Sequence, residues 1–281
     1  MSQARYGQGV ERIGEFIYSV GGEDSSIAGY TAAVEAYDLT TNAWVKKADI
    51  PVPGVHLKTV SLNGLLYIIA GYEPRTGKPL PVQIYEPGTD QWTVLPEVVC
   101  DIYDPSVTVW DGKIVVAGGY HASGVTLDSV FTFDPNNGNR EVIAKMPTPR
   151  FGHTAAVINH RLLIAGGAPS AYGAVKPTNE VLSYQFETQT WNTEAPLSTL
   201  RMHATSAVVQ GKWVILGGAA QEVFGEVFSP GTNQWASIGT SELGNRNQPG
   251  VTPLGESAMM VIGGYRDVPL TAVEAIDSFL P

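Results

Sequence analysis

The stretch that decides the fold is MPTPRFGHTAAVINHRLLIAGGAPSAYGAVKPTNEVLSYQFETQTWNT, residues 146–193. It contains four short segments rich in valine, isoleucine and aromatic residues, at positions 154–158, 162–165, 181–186 and 191–193. Segments of this length and composition are typical of β-strands. The second segment ends in a pair of glycines, and the third and fourth carry a tyrosine and a tryptophan seven residues apart. We interpret the stretch as one four-stranded unit, with strands a to d in chain order.

The same unit recurs along the whole chain. Apolar runs that end in glycine occur six times, as Val20-Gly21-Gly22, Ala70-Gly71, Ala117-Gly118-Gly119, Ala165-Gly166-Gly167, Leu216-Gly217-Gly218 and Ile262-Gly263-Gly264. The steps between the last glycines are 49, 48, 48, 51 and 46 residues. Six copies of this period account for all 281 residues. We therefore predict a single domain over residues 1–281, built from six repeats of about 48 residues.

An aromatic pair marks the second half of four of the six units. An aromatic residue precedes a tryptophan by seven positions in Tyr37/Trp44, Tyr85/Trp92, Tyr184/Trp191 and Phe228/Trp235. The third copy has Phe133 followed by Arg140, and the sixth has Ile276 at the aromatic position. The constant spacing indicates a rigid local unit, and we expect these tryptophans in the core between units.

Tight turns connect the strands of each unit. Asn63-Gly64, Asp111-Gly112 and Gln210-Gly211 lie between strands a and b, and they supply the positive φ of hairpin turns. No convincing helical periodicity is present. Six four-stranded antiparallel sheets arranged radially form a β-propeller. The fold prediction is an all-β, six-bladed propeller whose last blade has three strands.

These features resemble the Kelch repeat. The resemblance rests on the glycine pair after an apolar strand, the Tyr-to-Trp spacing, and a preceding segment such as Met146-Pro147-Thr148-Pro149-Arg150. It covers the whole chain and implies a binding module for protein–protein interaction. Because one fold hosts several functions, an alternative stays open: a carbohydrate-active enzyme similar to the sialic acid mutarotases or to galactose oxidase.

Composition narrows the class of partner. The chain has 17 Lys+Arg against 27 Asp+Glu, a formal net charge of −10. This acidic balance argues against nucleic acid or an anionic membrane as the main partner. No apolar run approaches the roughly 18 residues that a membrane span needs. With 43% hydrophobic and only 16% charged residues, the chain has the composition of a folded globular protein.

The order of the strands predicts which face binds. In an antiparallel blade the a–b and c–d turns lie on one face, and the b–c and d–a loops lie on the other. The second set is long, for example at 23–33, 73–82, 120–128 and 168–180. Long loops on a rigid scaffold are where binding residues concentrate. We call this surface the long-loop face and predict that contacts are made there, around the central channel.

Candidate binding residues lie at matching positions of this face. Tyrosines follow three of the glycine markers, basic residues come just after them, and arginines and histidines precede the markers by 14 to 17 residues. The predicted ligand- or partner-binding residues are Tyr72, Arg75, Tyr120, His121, Arg150, His153, Arg201, His203, Tyr265 and Arg266. A basic and aromatic mouth favours an acidic peptide loop or a small anionic or polar ligand such as a sugar.

Structural roles compete with these assignments. Arg150 and Arg201, like Arg5, alternatively hydrogen-bond the carbonyls of neighbouring loops. The three tyrosines alternatively cap the inner strands. The glycine pairs have a steric explanation, because side chains there would clash where the blades converge.

We predict no catalytic set, no metal site and no cofactor. His56, His153 and His203 with Asp104 are the best metal candidates, but they come from four blades around a channel expected to be ~10 Å or more wide. Cys100, three residues before Tyr103, is the only link to the cysteine-crosslinked tyrosine of galactose oxidase. A mutarotase-like acid–base pair would combine Asp104 or Glu23 with Arg150 or His153. We therefore favour a protein without enzymatic activity.

The two ends of the chain bear on assembly and location. Blade six reaches strand c at 273–278 and the chain stops at Pro281, so we expect a three-stranded blade in a monomer. Pairing of that open edge with another chain is the alternative, and a fragment of a longer protein is a third. No apolar segment suited to a signal peptide follows Met1, which favours the cytoplasm; a secreted mature form stays open.

Overall fold

The structure is a computed structural model of the 281-residue chain, and it describes residues 1–24, 29–95, 101–218, 224–238, 248–255, 258–266, 268–269 and 273–277. The described residues form β-strands, turns and loops. None of them forms a helix long and apolar enough to cross a membrane.

Six antiparallel sheets follow one another along the chain, and each is one blade of a propeller. The first five have four strands in the order a-b-c-d: Gly9–Ile13, Phe16–Val20, Val34–Asp38 and Ala43–Lys47; Val55–Leu62, Leu65–Glu73, Gln83–Glu86 and Gln91–Val94; Ser106–Trp110, Lys113–Ala117, Ser129–Phe133 and Arg140–Lys145; Thr154–Ile158, Arg161–Ala165, Val181–Gln185 and Thr190–Thr193; Thr205–Val209, Lys212–Leu216, Gly225–Ser229 and Gln234–Ile238. The sixth has three described strands: Gly250–Pro253, Ala258–Ile262 and Val273–Asp277. The prediction of a six-bladed propeller is confirmed, and the described residues of the last blade form three strands, as predicted.

Short strands decorate the long loops of three blades. They are Glu23–Asp24 paired with Gly29–Tyr30, Lys78–Pro79 paired with the end of strand b in blade two, and Tyr265–Arg266 paired with Val268–Pro269. All three lie between strands b and c, so they stiffen the base of the loops on the long-loop face.

The hydrophobic core is divided into six clusters, one between each pair of neighbouring blades. Between blades one and six, for example, Val10 and Ile17 pack against Met260 and Ile262. Each fully buried large apolar side chain contributes about 1.5–3 kcal/mol to stability. The ring is therefore held closed by packing between the first and last blades.

The aromatic pairs lie where the spacing predicts them. Tyr184 stands directly opposite Trp191 on strands c and d of blade four, with ring centroids 5.0 Å apart. Both rings pack in the core between blades three and four. In blade three Arg140 takes the tryptophan position, and its guanidinium lies 3.6 Å from the centre of the Phe131 ring. A stacked cation thus replaces the missing indole.

The glycine pairs mark the closest approach of neighbouring blades. A Cβ atom on Gly118 would lie 2.3 Å from the carbonyl oxygen of Arg150, and Gly118 has φ +59°. The next residue, Gly119, donates its N–H to the same carbonyl at 2.8 Å. Gly167 makes the equivalent bond to Arg201 at 2.8 Å. A side chain is excluded here by both conformation and space, which is the steric reason expected for the pair.

The a–b turns lie on the face opposite the long loops. At Asn63-Gly64 the φ angles are +53° and +78°, and at Asp111-Gly112 they are +49° and +68°. Two successive positive φ values define the hairpin turn whose twist suits an antiparallel pair. Both turns are as the sequence predicts.

Candidate functional site

A collar of six residues surrounds the channel at the long-loop face, one at the start of strand a in each blade. The collar consists of Gly7, His56, Asp104, Gly152, His203 and Gln248, and each has φ between +47° and +62°. Backbone bonds join neighbouring members: Gly152 donates to Asp104 O at 3.1 Å, and His203 donates to Gly152 O at 2.7 Å. Four non-glycine residues therefore occupy a left-handed conformation that side chains adopt rarely.

Three side chains lie close to the carboxylate of Asp104: two from the collar and one from strand a of blade two. His56 Nδ1 lies 3.3 Å from Asp104 Oδ1, His203 Nε2 lies 3.4 Å from Oδ2, and Lys58 Nζ lies 3.7 Å from Oδ1. The rings of His56 and His203 approach to 5.9 Å between centroids although they come from blades two and five, on opposite sides of the ring. We call these four residues the mouth cluster.

The mouth cluster corrects one expectation from the sequence. A channel ~10 Å wide was expected to hold the histidines and Asp104 apart, and that is wrong for His56, His203 and Asp104, because their side chains extend inward from the collar. Across the described ranges, no three His, Cys, Asp or Glu side chains are arranged to hold a metal ion.

The mouth cluster keeps Asp104 ionised. Burial by itself would raise the pKa of Asp104, but the imidazoles of His203 and His56 and the ammonium of Lys58 outweigh it and hold the pKa well below its usual value. Lys58 reaches the cluster because strand a of blade two has a β-bulge on either side of it. Bulges re-aim side chains at functional sites, and the sequence alone does not show this one.

A tyrosine rim adjoins the mouth cluster. Tyr72 lies 5.4 Å from His56 and 5.9 Å from Tyr103, and Tyr103 stacks on Tyr120 at 5.3 Å, all measured between ring centroids. Burial, together with the negative charge of Asp104, raises the pKa of Tyr120 to about 12. Burial also raises the pKa of Tyr72. The three half-buried rings offer an aromatic surface with hydroxyl groups.

Other predicted residues lie further out on the long-loop face. His121 is half-exposed, and its Nδ1 lies 3.7 Å from Asp101 Oδ1. Arg75 is exposed and stands 5.9 Å from the ring centre of Tyr30. Tyr265 is exposed at its edge and packs against Tyr6 at 5.2 Å. Arg266 lies in a described strand, but its side chain is outside the described part.

The predicted arginines lie in the interior instead. Arg150 and Arg201 are each 1% exposed. Arg201 Nε donates to Glu226 at 3.0 Å and its Nη1 to the Gly217 carbonyl at 2.6 Å. Arg150 forms an ion pair with Glu180. Both side chains link parts of one blade, as the structural alternative predicts, so a partner on the surface does not reach them.

The side chain of His153 is also buried and bonded within the protein. Its Nε2 lies 2.8 Å from Ser106 Oγ, and burial together with the charge of Arg150 holds its pKa well below the usual value. In the described part of the chain, neither Arg150 nor His153 is hydrogen-bonded or ion-paired to Asp104, the first acid of the mutarotase-like alternative. Cys100 lies outside the described residues.

An apolar patch on the long-loop face was missed by the sequence reasoning. Val125, Tyr172, Val175 and Leu200 are 56%, 65%, 43% and 54% exposed. The Tyr172 ring covers Gly124, where a Cβ would lie 2.3 Å from the ring. An antiparallel bridge from Thr178 to Arg201 places the loop of blade four beside the segment that carries Leu200. Single apolar residues in loops give no periodic pattern, so the sequence does not predict this patch.

These features define a class of protein. The glycine pairs, the Tyr–Trp hairpins and the six inter-blade cores make the chain a Kelch-type β-propeller, with a polar mouth and an apolar patch on one face. The chain belongs to the Attractin/LZTR1 beta-propeller family, whose sequence profile matches residues 1–228.

Named relatives and a solved structure agree with this family. Kelch repeat protein M-T8 of Myxoma virus (strain Lausanne) is 25% identical over 207 residues, 73% of this chain and 39% of the relative. Kelch-like protein terF of Aspergillus terreus (strain NIH 2624 / FGSC A1156) is 25% identical over 295 residues, 96% of this chain and 63% of the relative. The chain thus spans less than two thirds of either relative. The solved structure of YjhT superimposes with a TM-score of 0.81 at 15% identity, covering 99% of this chain and 94% of that one, and supports the fold.

Proposed function

We propose that the chain is a protein-interaction module that binds its partner through the long-loop face. At the level of the family, the Kelch-named relatives support an interaction module. The observation that carries the finer proposal is the apolar patch of Val125, Tyr172, Val175 and Leu200. Large apolar side chains clustered on loops cost free energy in water and gain it when a partner covers them.

The mouth supplies the polar part of the same surface. The tyrosine rim, with half-exposed His121 on the same face, offers aromatic and polar area, and exposed Arg75 adds a positive charge on a protein of net charge −10. Polar groups at the edge of an apolar contact mainly set specificity and orientation. A partner that lays an apolar segment over blades three to five and directs an acidic loop at the rim fits this arrangement.

The test compares matched surface variants in affinity capture from the source organism. Tyr172→Ser with Val175→Ser removes the centre of the apolar patch. Val142→Ser is the control, because Val142 is 58% exposed on the outer strand of blade three, away from the long loops. We expect the partner to be retained by wild type and control and reduced at least tenfold for the patch variant. Equal capture by all three folded proteins would refute the proposal.

The oligomeric state of the chain is a separate part of the proposal. We take the module to act as a monomer. If it forms a dimer instead, a second chain would pair with the outer edge of the strand Val273–Asp277. Light scattering over a hundredfold range of concentration measures this directly. A mass that rises toward twice the monomer value would contradict it.

A carbohydrate-active site at the mouth is the second candidate function. The observation that favours it is an ionised Asp104 between His56 and His203, next to the stacked rings of Tyr103 and Tyr120. Saturation-transfer NMR with galactose and sialic acid tests it, with Asp104→Asn as the comparison. Signals that disappear in the variant would favour the enzyme over the interaction module; no signal in either protein would reject this second function.

A further inference from the structure

Glu11 faces the channel in a position fixed by its neighbours. It lies in the middle of strand a of blade one, half-buried on the wall of the channel. Thr59 Oγ1 donates to its Oε1 at 3.1 Å, and the backbone N–H of Ser61 donates to its Oε2 at 3.0 Å. Thr59 comes this close because residue 9 is glycine: a Cβ there would lie 2.2 Å from the Thr59 methyl group. Both carboxylate oxygens are therefore held in place.

No positive charge accompanies this carboxylate in the described part of the chain. The adjacent Arg12 turns its guanidinium to the carbonyls of Gly14 and Pro253. Lys58, the only other charged residue among those that line the channel, is bound to Asp104. The two existing hydrogen bonds leave one lone-pair direction free on each carboxylate oxygen. Glu11 is thus a channel carboxylate with acceptor capacity and no counter-ion.

The channel has room for a ligand beside Glu11. Its volume is about 400 Å³, and seven serine and threonine residues are among those lining it. At ~30 Å³ per water molecule this equals about thirteen waters. Hydroxyl groups and a carboxylate are acceptors, which suits a group that carries several N–H donors. Valine side chains, among them Val60, Val107 and Val208, also line the channel, so the lining complements a compact cation on a short apolar stem.

We propose that the channel is a binding site for a primary ammonium group, which pairs with Glu11. An ammonium ion has three N–H donors, so it can bond both carboxylate oxygens and a channel hydroxyl at once. Such an ion pair offsets the desolvation of both charges in a way that an uncharged ligand does not. The group comes either from a free alkylamine or from a lysine side chain that a protein partner inserts.

Proton release gives the proposal a specific signature. Because burial raises the pKa of Glu11 to about 7, the carboxyl group is close to half protonated at neutral pH. An ammonium group binds the ionised form, so binding at pH 7 should release about half a proton, and at pH 9 close to none.

Calorimetry with n-butylammonium chloride tests the free-amine source, and a capped Gly-Lys-Gly peptide tests the lysine source. Titrations in two buffers of different ionisation enthalpy give the number of protons released. We expect saturable binding of at least one probe to wild type, at least tenfold weaker binding to Glu11→Gln, and unchanged binding to Glu141→Gln, whose carboxylate is exposed on blade three. Binding of the amine alone identifies a small molecule as the source, and binding of the peptide alone identifies a partner protein.

Two results would overturn the proposal: no saturable heat from either probe, or equal affinity of wild type and Glu11→Gln. Titration of n-butanol controls for the apolar stem and should give no binding. Gly9→Ala, which pushes Thr59 away from Glu11, should also weaken binding without removing the charge. The patch variant Tyr172→Ser/Val175→Ser should bind the probes as wild type does. The ammonium site in the channel and the partner surface on the long-loop face are therefore tested independently, and either proposal can be wrong without the other.

Discussion

Replacing Glu11 by glutamine should change how the stability of the protein depends on pH. In the folded protein burial raises the pKa of Glu11 from 4.5 to about 7. The folded state then holds the proton more tightly than the unfolded chain, so the contribution to stability is complete below pH 4.5 and is lost as pH rises through 7. Glutamine does not ionise and removes this dependence.

The size of the effect follows from the two pKa values. They differ by about 2.5 units, and each unit is worth about 1.36 kcal/mol. Most of this difference is expressed between pH 5 and pH 8.5. Water in the channel solvates part of the charge, so we expect the stability of Glu11→Gln to rise relative to wild type by about 2 kcal/mol over that range. Glutamine keeps both contacts, because its Oε1 can accept from the Ser61 N–H while its Nε2 donates to Thr59 Oγ1, so the substitution removes the charge without removing a hydrogen bond.

Urea denaturation followed by circular dichroism measures the difference at each pH. Other titrating groups cancel, because they are common to both proteins. Glu141→Gln is the control, since its carboxylate is exposed and should give a curve parallel to wild type. If the curve of Glu11→Gln also runs parallel to wild type from pH 5 to pH 8.5, the raised pKa and the reasoning built on it are wrong.

Two further predictions concern the stability of the propeller. Arg201→Met should lower the free energy of unfolding by about 3–5 kcal/mol, because it leaves the carboxylate of Glu226, which is 1% exposed, without its cation. The double variant Arg201→Met/Glu226→Met should recover most of the loss, and a single variant as stable as wild type would contradict the pairing. Gly166→Ala should cost at least about 2 kcal/mol, since its Cβ would lie 2.5 Å from the Arg201 carbonyl, whereas Gly173→Ala, with a similar φ but no atom within 4 Å, should cost about 1 kcal/mol in the same urea experiment.

The blade pattern was predictable because it is encoded locally. Tyr184 and Trp191 are seven residues apart and directly opposite on one hairpin, so their spacing reports the geometry without knowledge of the ring. The turn at Asn63-Gly64 is local in the same sense.

The site was less predictable, because it joins distant residues. Asp104 contacts His56 and His203, which are 48 and 99 positions away in the sequence, and no repeat spacing indicates how far each side chain extends across the channel. Arg201 shows a different limit: its position in the repeat suits both a binding role and an internal pair with Glu226, and only the three-dimensional packing separates the two.

The left-handed collar has a consequence for how this mouth evolves. A positive φ excludes β-branched residues and tolerates glycine, asparagine, aspartate and histidine best. Five of the six collar residues belong to that set, namely Gly7, His56, Asp104, Gly152 and His203, and Gln248 does not. Mutation at the collar thus exchanges one polar group for another or for none, while the backbone ring stays in place. The polar groups at the mouth can therefore change one residue at a time without a change in the backbone beneath them.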